Sequence, residues 1–414
     1  MTSIIIFLGV LVLGYISTTF VFGKIQSRFY MPSGVEYIFL GIILGPSFAN
    51  WFTETFSIPF PAFIDGEILS QLNPGITTAI GLVGFIYGLK FKFRNFSEVK
   101  PEHWRLALTE ILLSFLLIGG IAFGLTYYFY YDGSNLSSII AAASALGVIG
   151  SLSSNYIIKA LIKKYDSGGA ISKTLFNASL INVNLLIFLY GFLFASIHVG
   201  AREGVKFTPI EWIVVSLVLT LLIGFLFFIF LGRETDSNKF FVAVLGIVLF
   251  TSGVAYFVNF SPLYMNFVLG AIVANLSKIS ERIEESIERL FHPLSVLIVV
   301  MVGFYWVPVA NLTLFLGASA IFVVVRYSAK MLAGWFSYTT AFEKEHLTPN
   351  IGKGLLPFDI VACAMVLDYI NVYKNSFTPL VMSAVLSSVI IYGIFSYSSA
   401  KNIFIDAGEI GEEK

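Results

Sequence analysis

Ser144-Ala145-Leu146-Gly147-Val148-Ile149-Gly150-Ser151-Leu152-Ser153-Ser154-Asn155 lies inside an apolar stretch, 136–162, long enough to cross a bilayer. Glycines and hydroxyls fill the middle of this span, where leucine and valine would be at home. A helix interrupted at membrane depth frees backbone groups that only protein or an aqueous cavity can satisfy, so the stretch marks a site rather than a lipid-facing face. A second stretch, Gly352-Lys353-Gly354-Leu355-Leu356-Pro357-Phe358-Asp359, has the same character. Pro357 removes a backbone donor and disfavours helix at Leu356.

Working outward from these two stretches, the sequence reads as an all-α polytopic membrane protein. It is 57% hydrophobic and 12% charged, with a mean hydropathy of +0.86, far from a soluble domain. Roughly 20 residues cross a hydrocarbon core of about 30 Å. Thirteen apolar segments are of that order: 3–22, 34–50, 72–91, 104–131, 136–162, 172–197, 209–232, 239–259, 262–277, 292–309, 312–338, 352–371 and 377–399. The first lacks a basic flank and a small-residue cleavage site and reads as a retained helix. The ninth is short and follows the eighth after Ser261-Pro262, as a broken segment would. Residues 1–400 form one transmembrane unit and 401–414 a short acidic cytoplasmic tail.

The two interrupted segments are the fifth and the twelfth, an offset of seven. The same offset relates the second, with Leu40-Gly41-Ile42, to the ninth, with Leu269-Gly270-Ala271. An odd offset reverses membrane orientation, so the halves are an inverted repeat with discontinuous helices at corresponding places, the pattern of a transporter binding site at the midplane. Small residues also serve tight helix packing, which is the competing explanation for each stretch alone.

Charge is segregated. Of 25 Lys and Arg, all but five fall in loops after odd-numbered segments or at the C-terminus. Arg202, Lys206 and Lys374 fall on the other side. The positive-inside rule then places the N-terminus outside and the C-terminus in the cytoplasm of a cell (inner) membrane. The remaining two, Arg326 and Lys330, lie one turn apart inside the eleventh segment. A cation at that depth is a functional-site candidate by default. The run 280–289, with Glu281, Arg282, Glu284, Glu285, Glu288 and Arg289, reads as a solvated cytoplasmic helix paired at i,i+4. The stretch 51–69 reads as an interfacial segment on the outer side.

These residues together resemble the monovalent cation:proton antiporter-2 family and the wider sodium/proton exchanger superfamily. The resemblance rests on Leu40-Gly41-Ile42-Ile43-Leu44-Gly45-Pro46, on 81–89, on 261–274, on the Pro293 helix ending in Val302-Gly303, and on Gly354-Leu355-Leu356-Pro357 followed by Val361-Ala362. It implies a dimerisation domain and a core domain, crossed discontinuous helices, elevator-like alternating access and a homodimer. The family's central acids on the sixth helix have no counterpart here. The corresponding stretch, Ala178-Ser179-Leu180-Ile181-Asn182-Val183-Asn184, places Asn182 and Val183 where those acids would stand. The family's basic residue on the eleventh helix is matched by Lys330.

The missing negative charge therefore has to come from elsewhere. Glu36 and Glu110 read as lying near cytoplasmic ends, and Asp368 near the outer end of the twelfth segment. Asp359, just past the break at Pro357, reads as a relocated carboxylate near Arg326 or Lys330. A partly dehydrated carboxylate binds either a proton or a monovalent cation; Asn182, Ser144 and Ser151 would add oxygen ligands. The leading reading is a secondary cation:proton antiporter, with a monovalent cation and the proton as substrates. A second is an anion or organic-acid carrier, because Arg326 and Lys330 against Asp359 leave an excess positive charge. A third is a transport-inactive sensor or assembly partner. No catalytic triad, nucleotide loop, cofactor motif or nucleic-acid-binding pattern is present. The single cysteine, Cys363, excludes an internal disulfide and a Cys-based metal cluster, so the only metal in view is the transported alkali cation.

Overall fold

The computed structural model describes residues 34–58, 66–198, 207–231, 237–277, 280–307, 309, 312–341 and 347–410. The first apolar segment and part of the interfacial stretch lie outside them. Among the described residues there are nine helices long and apolar enough to cross a membrane, or ten if the bent second segment counts as one span, and there is no strand.

In chain order the helices are α1 (Val35–Leu44), α2 (Pro46–Phe56), α3 (Gly66–Leu89), α4 (Phe93–Ser97), α5 (Pro101–Tyr130), α6 (Leu136–Gly150), α7 (Asn155–Tyr165), α8 (Ala170–Ser196), α9 (Pro209–Leu231), α10 (Ser237–Val258), α11 (Pro262–Leu276), α12 (Ser280–Phe304), α13 (Leu312–Thr339), α14 (Ile360–Val372) and α15 (Thr378–Asp406). A 3₁₀ helix, Ile351–Leu355, precedes α14. The second segment is bent by 64° at Gly45-Pro46, between α1 and α2. Pro46 opens α2, where a missing donor costs nothing.

Two groups of helices share the packing. In one, α11 lies against α3, α12 against α1, and α10 against α3. Here backbones touch. A Cβ at Gly41 would collide with the Val300 carbonyl, and one at Gly303 with that of Ile38. Likewise a Cβ at Gly84 or Gly88 would strike the Leu263 or Phe267 carbonyl, and one at Gly270 that of Phe85. The α1–α12 and α11–α3 pairs are the same contact in the two repeats, each made by glycines that let helices approach to van der Waals distance. In the other group, α5 packs on α6, α8 and α13, and α15 packs on α13 and on the 3₁₀ helix. Helix α14 lies at the seam, against α3 and α12 of the first group and α15 and α6 of the second.

Two boundaries differ from the sequence reading. The charged run 280–289 continues without interruption into the tenth segment as the first turns of α12. Its described ion pairs leave its own helix, with Glu284 on Lys92 (3.0 Å) and Glu288 on Lys159 (3.6 Å). The C-terminal stretch is also more than a tail. Helix α15 runs to Asp406, with Ile403 and Phe404 buried, and Glu409 turns back onto the start of α8. Its carboxylate accepts from the backbone N–H of Ile171 (2.7 Å) and Ser172 (3.2 Å) and from the Ser167 hydroxyl (2.9 Å). An acid beside the first turn suits the unsatisfied donors and the positive end of the helix.

Candidate functional site

The fifth and twelfth segments both unwind, and they meet there. The backbone N–H of Ser154 donates to the Pro357 carbonyl (2.9 Å), joining residue stretches 151–154 and 356–359 side by side. Each break presents the C-terminal end of one half-helix and the N-terminal end of the next. The carbonyl ends carry partial negative charge and the N–H ends partial positive charge.

Arg326 and Lys330, on consecutive turns of α13, sit on the carbonyl ends. Arg326 is fully buried and donates from Nε to Gly150 O (3.0 Å), from Nη1 to Leu356 O (2.8 Å) and from Nη2 to Leu152 O (2.8 Å). Its guanidinium is covered by Phe358 (3.7 Å to the ring centre) and Tyr392 (4.5 Å), which add cation–π attraction. Lys330 Nζ donates to Ser151 O (2.8 Å), Leu152 O (3.1 Å) and Ser153 Oγ (2.9 Å). The fork of one residue and the point charge of the other thus tie off carbonyls from both broken segments.

The carboxylate paired with Lys330 is Glu110, not Asp359. Both side chains are fully buried, and Glu110 also accepts from Ser153 Oγ (2.6 Å) and Asn182 Nδ2 (2.7 Å). The reading of Glu110 as a residue near a cytoplasmic end is corrected by the start of α5. The helix begins at Pro101, ahead of the apolar stretch, so Glu110 stands about 13 Å of helical rise inside it. A trace of this was present in the sequence: His103, Ala107, Glu110, Ser114 and Ile118 recur at helical spacing and form the buried face of α5.

Asp359 takes the opposite ends of the breaks. It is the N-cap of α14, accepting from the Val361 N–H (3.3 Å), and its other partners are the hydroxyls of Tyr87 and Ser154 (3.2 Å to Oγ). Ser154 is itself the N-cap of α7. Asp359 therefore faces two half-helix N-termini and no cationic partner within ion-pair distance among the described residues. It also lines a cavity of about 340 Å³ with Ser154, Tyr156, His292, Ser295 and Tyr397. No other carboxylate lines that cavity among the described residues, and the cavity lies toward the Lys- and Arg-rich loops.

Of the oxygen ligands expected from sequence, Asn182 and Ser151 reach the crossing but serve the Glu110–Lys330 network. Asn182 Oδ1 accepts from the Ser153 N–H (3.0 Å), and its Nδ2 also reaches Ser151 O (3.0 Å). The Ser151 hydroxyl bonds Gly147 O on its own helix (2.7 Å). Ser144 lies about 9 Å of rise before Gly150, half-buried on α6, away from the crossing. Among the described residues Asn184 donates to the Leu180 carbonyl (2.7 Å), one turn back on α8.

Paired, unwound helices crossing beside buried charges, in a chain of membrane-spanning helices with inverted repeats, define a secondary-transporter fold. The chain belongs to the sodium/hydrogen exchanger family, whose transmembrane family model, "Sodium/hydrogen exchanger, transmembrane", matches residues 10–396. Its fold is similar to that of the sodium proton antiporter MjNhaP1 from Methanocaldococcus jannaschii at pH 8, with a TM-score of 0.62 at 17% identity, covering 99% of this chain and 96% of that one. A second structure of MjNhaP1, from an electron-microscopy map, matches with a TM-score of 0.59 at 16% identity over 97% and 95% of the two chains. No curated protein matches the sequence.

Proposed function

We propose that this chain exchanges a monovalent cation for protons, with Asp359 as the carboxylate that binds one or the other. The observation that carries this reading is that Asp359 opens on the cavity and, among the described residues, is held by two hydroxyls and a backbone N–H. Those partners can reorient to share the carboxylate with a proton or a cation. The similarity to MjNhaP1, a sodium proton antiporter, supports the substrate class.

The coupling follows from charge. Loaded with a proton or a monovalent cation, Asp359 is neutral and can be carried past a hydrophobic barrier. Empty, it is a buried unpaired charge, which costs several kcal/mol. The return without cargo is thereby suppressed and the exchange is obligatory. Arg326, Lys330, Glu110, Asn182 and Ser151 hold the crossing in shape and neutralise its carbonyl ends. The movement is elevator-like. The Tyr87–Asp359 bond links α3 of one helix group to the site carried with the other, so it is a contact of one end state and breaks in passage. In this reading the chain works as a homodimer in the inner membrane, with the C-terminus and the cavity on the cytoplasmic side.

The anion reading loses its premise. It required excess positive charge at the crossing, and Glu110 neutralises Lys330.

The test is proton movement in proteoliposomes, followed with a pH-sensitive dye on addition of sodium, potassium or lithium, for the wild type and Asp359→Asn. Cation-dependent flux that disappears in the variant supports the reading. Folded wild-type protein that moves no protons with any of the three overturns it and leaves the transport-inactive alternative.

A further inference from the structure

A second carboxyl on α14 takes no part in the crossing. Asp368 is fully buried, nine residues beyond Asp359 and about 13 Å of rise further along the same helix. Neither of its oxygens makes a hydrogen bond of ordinary geometry among the described residues, and its nearest donors are the hydroxyls of Tyr190 and Ser261. The groups that face it are the phenols of Tyr190 on α8 and Tyr373 at the end of α14, and the hydroxyl of Ser261. Ser261 is the N-cap of α11, so the carboxyl is turned toward the positive end of that helix. Tyr369, adjacent on α14, is the next phenol in this cluster and acts on Tyr190. None of the ion pairs among the described residues involves Asp368.

The surroundings leave Asp368 few ways to be stable. The phenols are already engaged: Tyr190 donates to Met365 O (3.3 Å) and Tyr373 to Phe194 O (2.8 Å). The Ser261 oxygen accepts from the Tyr264 N–H (3.1 Å). An ionised carboxylate with no well-formed hydrogen bond in such a place is costly, and the smallest species that removes the charge is a proton. The location fits a route as well. Ser261, Tyr373 and the end of α8 belong to the face opposite the cavity at Asp359.

We propose that Asp368 is a second proton-binding carboxyl, exchanging its proton with the face of the protein opposite the cavity. Its role in the route rests on the exchange reading above; its occupancy by a proton does not.

Infrared difference spectroscopy of the purified protein across a pH series separates the two. The expected result is a protonated-carboxyl C=O band that persists in Asp359→Asn and is lost in Asp368→Asn. Tyr190→Phe should keep that band and shift its frequency, because it removes a phenol facing the carboxyl; this variant carries the test should Asp368→Asn fail to fold. In proteoliposomes, Asp368→Asn should alter the dependence of flux on the pH of the compartment opposite the cavity and leave the dependence on the other compartment unchanged. A set of carboxyl bands identical in wild type and Asp368→Asn overturns the proposal, and so does a frequency unmoved by Tyr190→Phe. A lost band with unaltered flux on both sides overturns the route. Wild-type protein without flux defeats the exchange reading alone, since the band still decides whether Asp368 holds a proton.

Discussion

Glu110 and Asp359 are both buried carboxyls at the crossing of the broken helices, yet their surroundings differ in kind. Glu110 is closed in by an ammonium, a hydroxyl and an amide, with no exposure to solvent. Asp359 is held by two hydroxyls and one backbone N–H and opens on a cavity. A carboxylate whose donors include a fixed cation has nothing to gain from a transported one, while a carboxylate with neutral donors and access does. Burial alone does not make an ion site; the charge of the donors and the way in decide it.

The strongest way to break this contrast is Glu110→Gln. It leaves Lys330 buried against carbonyls with no counter-charge, and the expected loss is about 3–5 kcal/mol. Unfolding in mixed detergent micelles measures it, and the double variant Glu110→Gln with Lys330→Met should recover much of the loss. A loss confined to transport, at unchanged stability, would reverse the two roles. Next in size is Gly88→Ala, which drives a methyl into the Phe267 carbonyl beside Tyr87. Overpacking there should cost about 1–3 kcal/mol. Because Tyr87 bonds Asp359, flux should fall while the Glu110–Lys330 pair stays intact. Glu409→Ala removes a third kind of carboxylate, half-buried at the start of α8 and satisfied by backbone donors. Its expected cost is about 1 kcal/mol in the same unfolding assay, with flux retained. The smallest stability effect belongs to Asp359→Asn. Asn caps a helix as well as Asp, so the change should stay under about 1 kcal/mol even as cation-dependent flux is abolished.

Much of the framework was legible in local pattern. Segment length and apolarity set the spans, and Pro357 and the Gly- and Ser-rich run at 144–155 marked the two breaks, whereas the 64° bend at Gly45-Pro46 falls inside a segment, 34–50, that the sequence reads as one span. The offset of seven related the second segment (α1) to the ninth (α11), and the structure gives the two equivalent glycine contacts, α1 with α12 and α11 with α3. At the site, the sequence singled out Arg326, Lys330, Asn182, Ser151 and Asp359, and the structure brings these to one crossing, with Ser144 left out. Glu110 reads as shallow in the sequence because the apolar run starts at residue 104, whereas α5 itself starts at Pro101. The last helix likewise runs past the apolar stretch: Lys401 and Asn402 interrupt the apolar run, and α15 continues through them to Asp406.

By itself, then, the sequence determined the class of fold, the places where the backbone must unwind and the burial of two cations, because each of these follows from hydropathy, proline and glycine chemistry within a few residues of chain. Which carboxyl faces which cation was decided only by tertiary structure. Glu110 and Lys330 are 220 residues apart, and Tyr87 and Asp359 are 272. Whether such pairs meet depends on the rotation of each helix about its axis and on where two unwound stretches cross. Those quantities are fixed by the packing of all the helices together, and none of them is written in the neighbourhood of any one residue.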